Sequence, residues 1–160
     1  MAWAKEVSRV TGIEMQSRVM RQMNSLAQRL RRRPGTATHL VTGERGEREA
    51  LFHLRKRGYV IVARRWKTAK LWGDVDLIAW DGEYLCFVEV KTRSRRDEIT
   101  AESAVDRDKR EMLQKMARAY LRRFPEKLRG EIQVRFDVVS VYLLPAGAEF
   151  DLYQSAFGWS

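Results

Sequence analysis

Two apolar runs meet at Asp81-Gly82 in VDLIAWDGEYLCFVEV, residues 75–90. A turn dipeptide of this kind between apolar runs is the strongest short-range signal for a β-hairpin. It predicts a two-residue type I′ turn over Asp81 and Gly82. With those two as the loop, Trp80 faces Glu83, Asp76 faces Phe87 and Asp74 faces Glu89. Alternation then brings Asp74, Asp76, Glu89 and Lys91 to one face of the sheet, and Cys86, Val88 and Val90 to the other. Asp76 and Glu89 become diagonal neighbours with Cβ atoms roughly 7 Å apart, close enough for both carboxylates to reach one cation. Lys91, two positions beyond Glu89, comes within reach of a water or phosphate held there.

Alternating acid and base is common on a solvated strand, so Asp-x-Asp or Glu-x-Lys alone carries little information. Here Asp76 sits in a run where neither face is otherwise polar, and Glu89 is enclosed by FVEV. A third acid, Glu47, shares the apolar stripe of GERGEREALFHLRKRG with Ala50, Leu51 and Leu54. Gly43 and Gly46 flank it and would let another backbone come close. Burying carboxylates without counter-charge is costly, and one divalent cation accounts for all three.

Around the hairpin the order is a helix ending at Gly58, a strand YVIVARRW, the two hairpin strands, a long helix AVDRDKREMLQKMARAYLRRF and a strand IQVRFDVVSVYLL. FDLYQSAFGW after Pro145 reads as a short terminal strand or an aromatic tail. The pattern is α/β, an α-β-β-β-α-β core around a small mixed sheet. Residues 1–42 read as a basic extension and linker, weakly helical and ending in RRRPGTAT, and 43–160 as the folded domain. The Arg-rich leader resembles an organelle transit peptide without a secretory apolar core, and Met15, Met20 and Met23 offer alternative starts.

Charge divides unevenly along the chain. The leader contributes +6 of the net +10, with eight Lys/Arg against Glu6 and Glu14. Such a balance favours a polyanion, nucleic acid before membrane surface. One cysteine, Cys86, excludes an internal disulfide and suits a reducing cytoplasm. With only His39 and His53 beside it, a zinc site is hard to assemble. No apolar run approaches the roughly 20 residues of a membrane span.

Together, the acid on the first helix, GDVDLIA and FVEVKTR resemble the PD-(D/E)XK nuclease superfamily. More narrowly, GERGEREALFHLRKRGYVIVARRW, GDVDLIAWD, FVEVKTR, the helix carrying Lys109 and Ala117, and RFDVV resemble the YraN-like family of bacterial proteins, which is similar to archaeal Holliday junction resolvases. The likeness runs from Gly43 to about Leu143. It implies a restriction-endonuclease-like fold, a mixed central sheet flanked by helices, and a Mg²⁺- or Mn²⁺-dependent nuclease acting on DNA, branched DNA included. It implies Asp76 and Glu89 as metal ligands with the Val90 carbonyl, Glu47 as an outer or second ligand, Asp74 as accessory, and Lys91 as the residue that orients water and balances phosphate charge.

Lys109, Arg135 and Asp137 also fall on family positions; Arg135 and Asp137 are placed to pair along the last strand. ARRWK departs from the family's usual asparagine followed two positions later by arginine, which leaves any substrate contact there open. Arg64, Arg65, Lys67, Lys70, Arg93, Arg95 and Arg96 flank the acidic cluster and, with Lys109, are the candidate contacts to backbone phosphates. The resemblance further implies a homodimer, for which Trp66, Leu71, Trp72, Trp80 and Trp159 are apolar interface candidates. Two other readings compete: a nucleic-acid-binding module that does not cut, and an RNA- or ribosome-associated protein that binds through its leader.

Overall fold

A computed structural model describes residues 37–96 and 105–159, with side chains of the first helix described from Thr42 onward. The expectations for residues 1–36 lie outside the described residues. The elements are α1 Ala37–Lys56, β1 Val60–Trp66, β2 Val75–Asp81, β3 Tyr84–Arg93, α2 Arg107–Leu121, α3 Glu126–Arg129, β4 Gln133–Leu144 and β5 Gly147–Phe157. Helix α1 begins upstream of Gly43, at Ala37. It stops at Gly58, whose φ of +92° lets Tyr59 N–H return to the Leu54 carbonyl at 3.0 Å, a glycine-terminated C-cap.

The five strands form one sheet in the order β1-β2-β3-β4-β5. Neighbours are antiparallel except β3 and β4, which run parallel. A parallel pair needs a crossover, and α2 is carried on it. The segment after Pro145 is a full edge strand of 11 residues, β5, longer than the short strand or tail expected. This is a mixed α/β sandwich compatible with a restriction-endonuclease-like fold.

The hairpin differs from expectation in register. Asp81 pairs with Tyr84, Trp80 with Leu85 and Leu77 with Val88, so the loop is Gly82-Glu83. Gly82 takes φ +59° at the first loop position, and glycine there is the type II′ preference. Asp81 stays in the strand because Arg135 Nη2 lies 2.6 Å from its Oδ2. Relative to the expected pairing, β3 is displaced by two residues. An even displacement keeps every side chain on its face while changing its partner. Continuing the ladder past Leu77 places Asp76 directly opposite Glu89.

Each sheet face carries its own core. Val62, Ile78, Leu85, Phe87, Phe136 and Val138 pack under Leu113, Met116, Ala117 and Tyr120 of α2. Leu77, Ala79, Cys86, Val88, Val139 and Val141 pack under Ala50, Leu51 and Leu54 of α1. Cys86 is a buried hydrophobe, as expected, and burial pushes its thiol pKa up. Burying each large apolar side chain contributes about 1.5–3 kcal/mol. On the α1 side, Asp137 is 0% exposed and satisfied by Arg135 Nε at 2.8 Å and Ser155 N–H at 3.0 Å. Arg135 also donates to the Tyr59 hydroxyl at 2.8 Å. Burial is the main reason that phenol's pKa rises to about 12.

Candidate functional site

Asp76 on β2 and Glu89 on β3 both project from the α2 face. Glu89 is 4% exposed although it is charged. What keeps it there is a pair of ammonium groups. Lys91 Nζ lies 3.1 Å from Oε1, and Lys109 Nζ, from the first turn of α2, lies 2.9 Å from Oε2. The second contact is an ion pair whose angle falls short of a hydrogen bond, so Oε2 is buried without a directed donor. Asp76 Oδ2 accepts the Val90 backbone N–H at 2.7 Å.

Asp76 is strained electrostatically. Burial, then the Glu89 charge, push its pKa up to about 7, while the Val90 N–H, Lys109 and a distant contribution from Glu47 act on it more weakly. For Lys109, burial disfavours the ammonium, but Glu89 and the Asp76 and Asp74 charges outweigh it and hold its pKa above the usual lysine value. The helix start that aims Lys109 is built locally. Asp106 caps α2 by accepting the Lys109 N–H at 2.8 Å, a preferred N-cap arrangement.

The other expected site residues are placed less centrally. Asp74 lies beside the pair and meets Lys67 Nζ at 3.6 Å. Glu47 is half-buried, its side chain 14% exposed, but Arg65 takes both its oxygens, at 2.6 and 3.0 Å. Glu47 therefore borders the cluster without converging on it. Among the described residues, no three His, Cys, Asp or Glu side chains converge on one point. Gly46, next to Glu47, does allow a close approach, but by a side chain in place of the backbone expected. A Cβ there would sit 1.8 Å from Thr92 Oγ1, which follows Lys91 on β3. Gly43 has nothing within 4 Å of such a position.

The donor set still fits one cation. Magnesium is commonly held by one or two carboxylates, with water and substrate phosphate completing its shell. A desolvated carboxylate whose pKa is raised by its neighbouring carboxylate is relieved by a divalent charge between the two. Val90 reaches the pair through its backbone; its N–H is the atom engaged.

Of the basic candidates, Arg65 is compensated by Glu44 and Glu47, and Arg96 by Glu149 at 3.0 Å and Asp151 at 2.8 Å. Arg64 is half-buried with Nε lacking a hydrogen bond. Lys67, Lys70, Arg95 and Arg96 are exposed, and Arg93 is partly so. The place of Lys109 beside Glu89 was missed, because three basic residues, Arg107, Lys109 and Arg110, crowd the start of α2 and sequence spacing favours none. Trp66, Leu71 and Trp80 pack on the α2 core, and Trp159 lies edge-on to Phe136. Trp72 alone of these is 97% exposed.

Comparison with known proteins agrees in extent with this architecture. The model of the uncharacterised protein family UPF0102 matches residues 46–141, from the Gly46 contact through β4. A UPF0102 protein of Koribacter versatilis is 48% identical over 124 residues, covering 78% of this chain and 84% of the relative. One from Solibacter usitatus is 44% identical over 131 residues (82% and 94%), and one from Dictyoglomus thermophilum 37% over 109 (68% and 88%). Matched from the middle of its first helix into β4, with both site strands included, the chain belongs to the UPF0102, or YraN-like, family.

Proposed function

We propose that this protein is a metal-dependent nuclease hydrolysing phosphodiester bonds in DNA, and that it belongs to the PD-(D/E)XK superfamily. The observation that carries the reading is the pair of half-buried Asp76 and buried Glu89, faced by Lys91 and Lys109. Asp76, Glu89 and the Val90 carbonyl would hold the ion, with Asp74 accessory through water. Glu47 joins only if Arg65 releases it. Bound Mg²⁺ or Mn²⁺ would polarise a phosphate oxygen and supply an acidified water. Lys91, 3.1 Å from Glu89, would orient the attacking water and balance charge growing on phosphorus. Lys109, on the other Glu89 oxygen, would face a neighbouring phosphate. In the metal-free protein the two ammonium groups stand where positive charge is needed.

Lys67, Lys70, Arg93 and Arg95 supply sequence-independent contacts to the backbone, and binding weakens as salt rises. Arg64 contributes less, being half-buried. Branched DNA is the favoured substrate, with a homodimer placing two sites for paired cuts. A non-cleaving nucleic-acid-binding role is the alternative.

Cleavage of four-way, flapped and single-stranded DNA by the full chain, with Mn²⁺ or EDTA, tests the reading. Cutting is expected only with metal, and Asp76→Asn and Lys91→Ala are expected to lower it about 100-fold or more. Equal cutting by wild type and both variants would mark a contaminant. Salt-sensitive binding that persists in EDTA, with no cutting of any substrate, would leave the non-cleaving role.

A further inference from the structure

Leu71, Trp72 and Gly73 lie near the end of the loop between β1 and β2, immediately before Asp74. Leu71 is packed against the α2 core. Gly73 has φ +101° and lies on Met112 so closely that a Cβ would come within 2.9 Å of its Sδ. Between these two anchors Trp72 is 97% exposed. Its exposure is therefore set by packing on either side. It overhangs a cleft of about 380 Å³ lined by Leu71, Trp72, Asp108, Glu111, Met112 and Lys115. The four α2 residues recur at helical spacing and form one stripe. Lys109, one position from Asp108, points instead to Glu89.

We propose that this cleft takes one unpaired nucleobase, stacked on Trp72, beside the phosphate to be cut; the inference rests on the nucleic-acid reading above. An indole face stacks on any base and is sequence-tolerant. Asp108 and Glu111 repel phosphate from the cleft itself, but carboxylates accept hydrogen bonds from exocyclic amino groups. Lys115 in the cleft, and Lys67 and Lys70 on the same loop as Trp72, provide the charge that holds flanking phosphates. A base in this position belongs to a strand leaving its duplex, so the cleft selects for unpaired nucleotides near the cut. A second copy of this chain is the competing occupant.

The test is binding in EDTA, where cutting is absent, of the full chain to a duplex with one unpaired nucleotide and to the same duplex fully paired. Trp72→Ala is expected to weaken binding to the first about ten-fold and to change the second less than two-fold. Trp72→Phe is expected to restore most of the loss. Replacing the unpaired nucleotide by an abasic residue is expected to reproduce the loss in wild type and add nothing in Trp72→Ala. Independent, additive losses would overturn the base pocket while leaving DNA binding intact. So would equal weakening on both duplexes, or a change of oligomeric state with unchanged DNA affinity. Failure of wild type to bind either DNA would overturn the nucleic-acid reading and the pocket with it.

Discussion

At Asp76 a carboxylate has been taken out of water beside a second carboxylate, and burial with Glu89 sets its pKa near 7 against an ordinary 3.8. Between those values the folded chain keeps a proton that the unfolded chain has lost. Stability of the metal-free protein therefore falls as pH rises through about 4 to 7, and the full cost, on the order of 4 kcal/mol, is present by pH 8. Asp76→Asn removes the charge and keeps an oxygen for the Val90 N–H. In urea titrations with EDTA it is expected to exceed wild type in stability by about that amount at pH 8 and to match it near pH 4. A wild type as stable as the variant at pH 8 would mean that the ionised pair is already compensated. The identity of this residue was legible in the sequence, because an acid inside VDLIAW has no solvated face to occupy. Its nearness to Glu89 was legible too, but the register that sets the two directly opposite was not. Asp81-Gly82 favours a turn locally, and the Arg135 contact that draws Asp81 back into β2 comes from a strand far along the chain.

Between elements, the site depends on how closely α1 approaches β3. Gly46 is the point of contact, and its missing side chain leaves the space that Thr92 fills. Gly46→Ala adds a favourable helix residue but forces Thr92, and with it the strand just after Lys91, to move. A net loss of about 1–3 kcal/mol is expected, together with reduced cleavage, measured by denaturation and by the Mn²⁺ assay. Unchanged stability would mean that the helix shifts freely. That a glycine here admits a neighbour could be read from its place beside Glu47; that the neighbour is Thr92 depends on the helix–strand crossing. The same crossing explains Glu47. Its spacing puts it on the inward stripe, and it is half-buried, but it lies at the rim where Arg65 of β1 reaches it first. Face alternation survived in the hairpin for a simpler reason: a two-residue displacement preserves it.

Over the whole molecule, one sheet face carries the candidate chemistry and the other carries a closed polar network beneath the hairpin turn. Asp137 is wholly buried there, and its removal would take one of two carboxylates from the Arg135 guanidinium, leaving Asp81, and would leave the Ser155 N–H without its acceptor. Asp137→Ala is expected to cost about 3–5 kcal/mol, read as a lowered denaturation midpoint, without a direct effect on the Asp76–Glu89 pair on the opposite face. The central claim concerns that pair, and isothermal titration of Mn²⁺ into the full chain tests it most directly. One ion is expected to bind per chain, with protons released at pH 6 and fewer at pH 8, because Asp76 must ionise to receive it. Asp76→Asn and Glu89→Gln are expected to abolish that heat. No binding by wild type, or equal binding by all three proteins, would contradict the account.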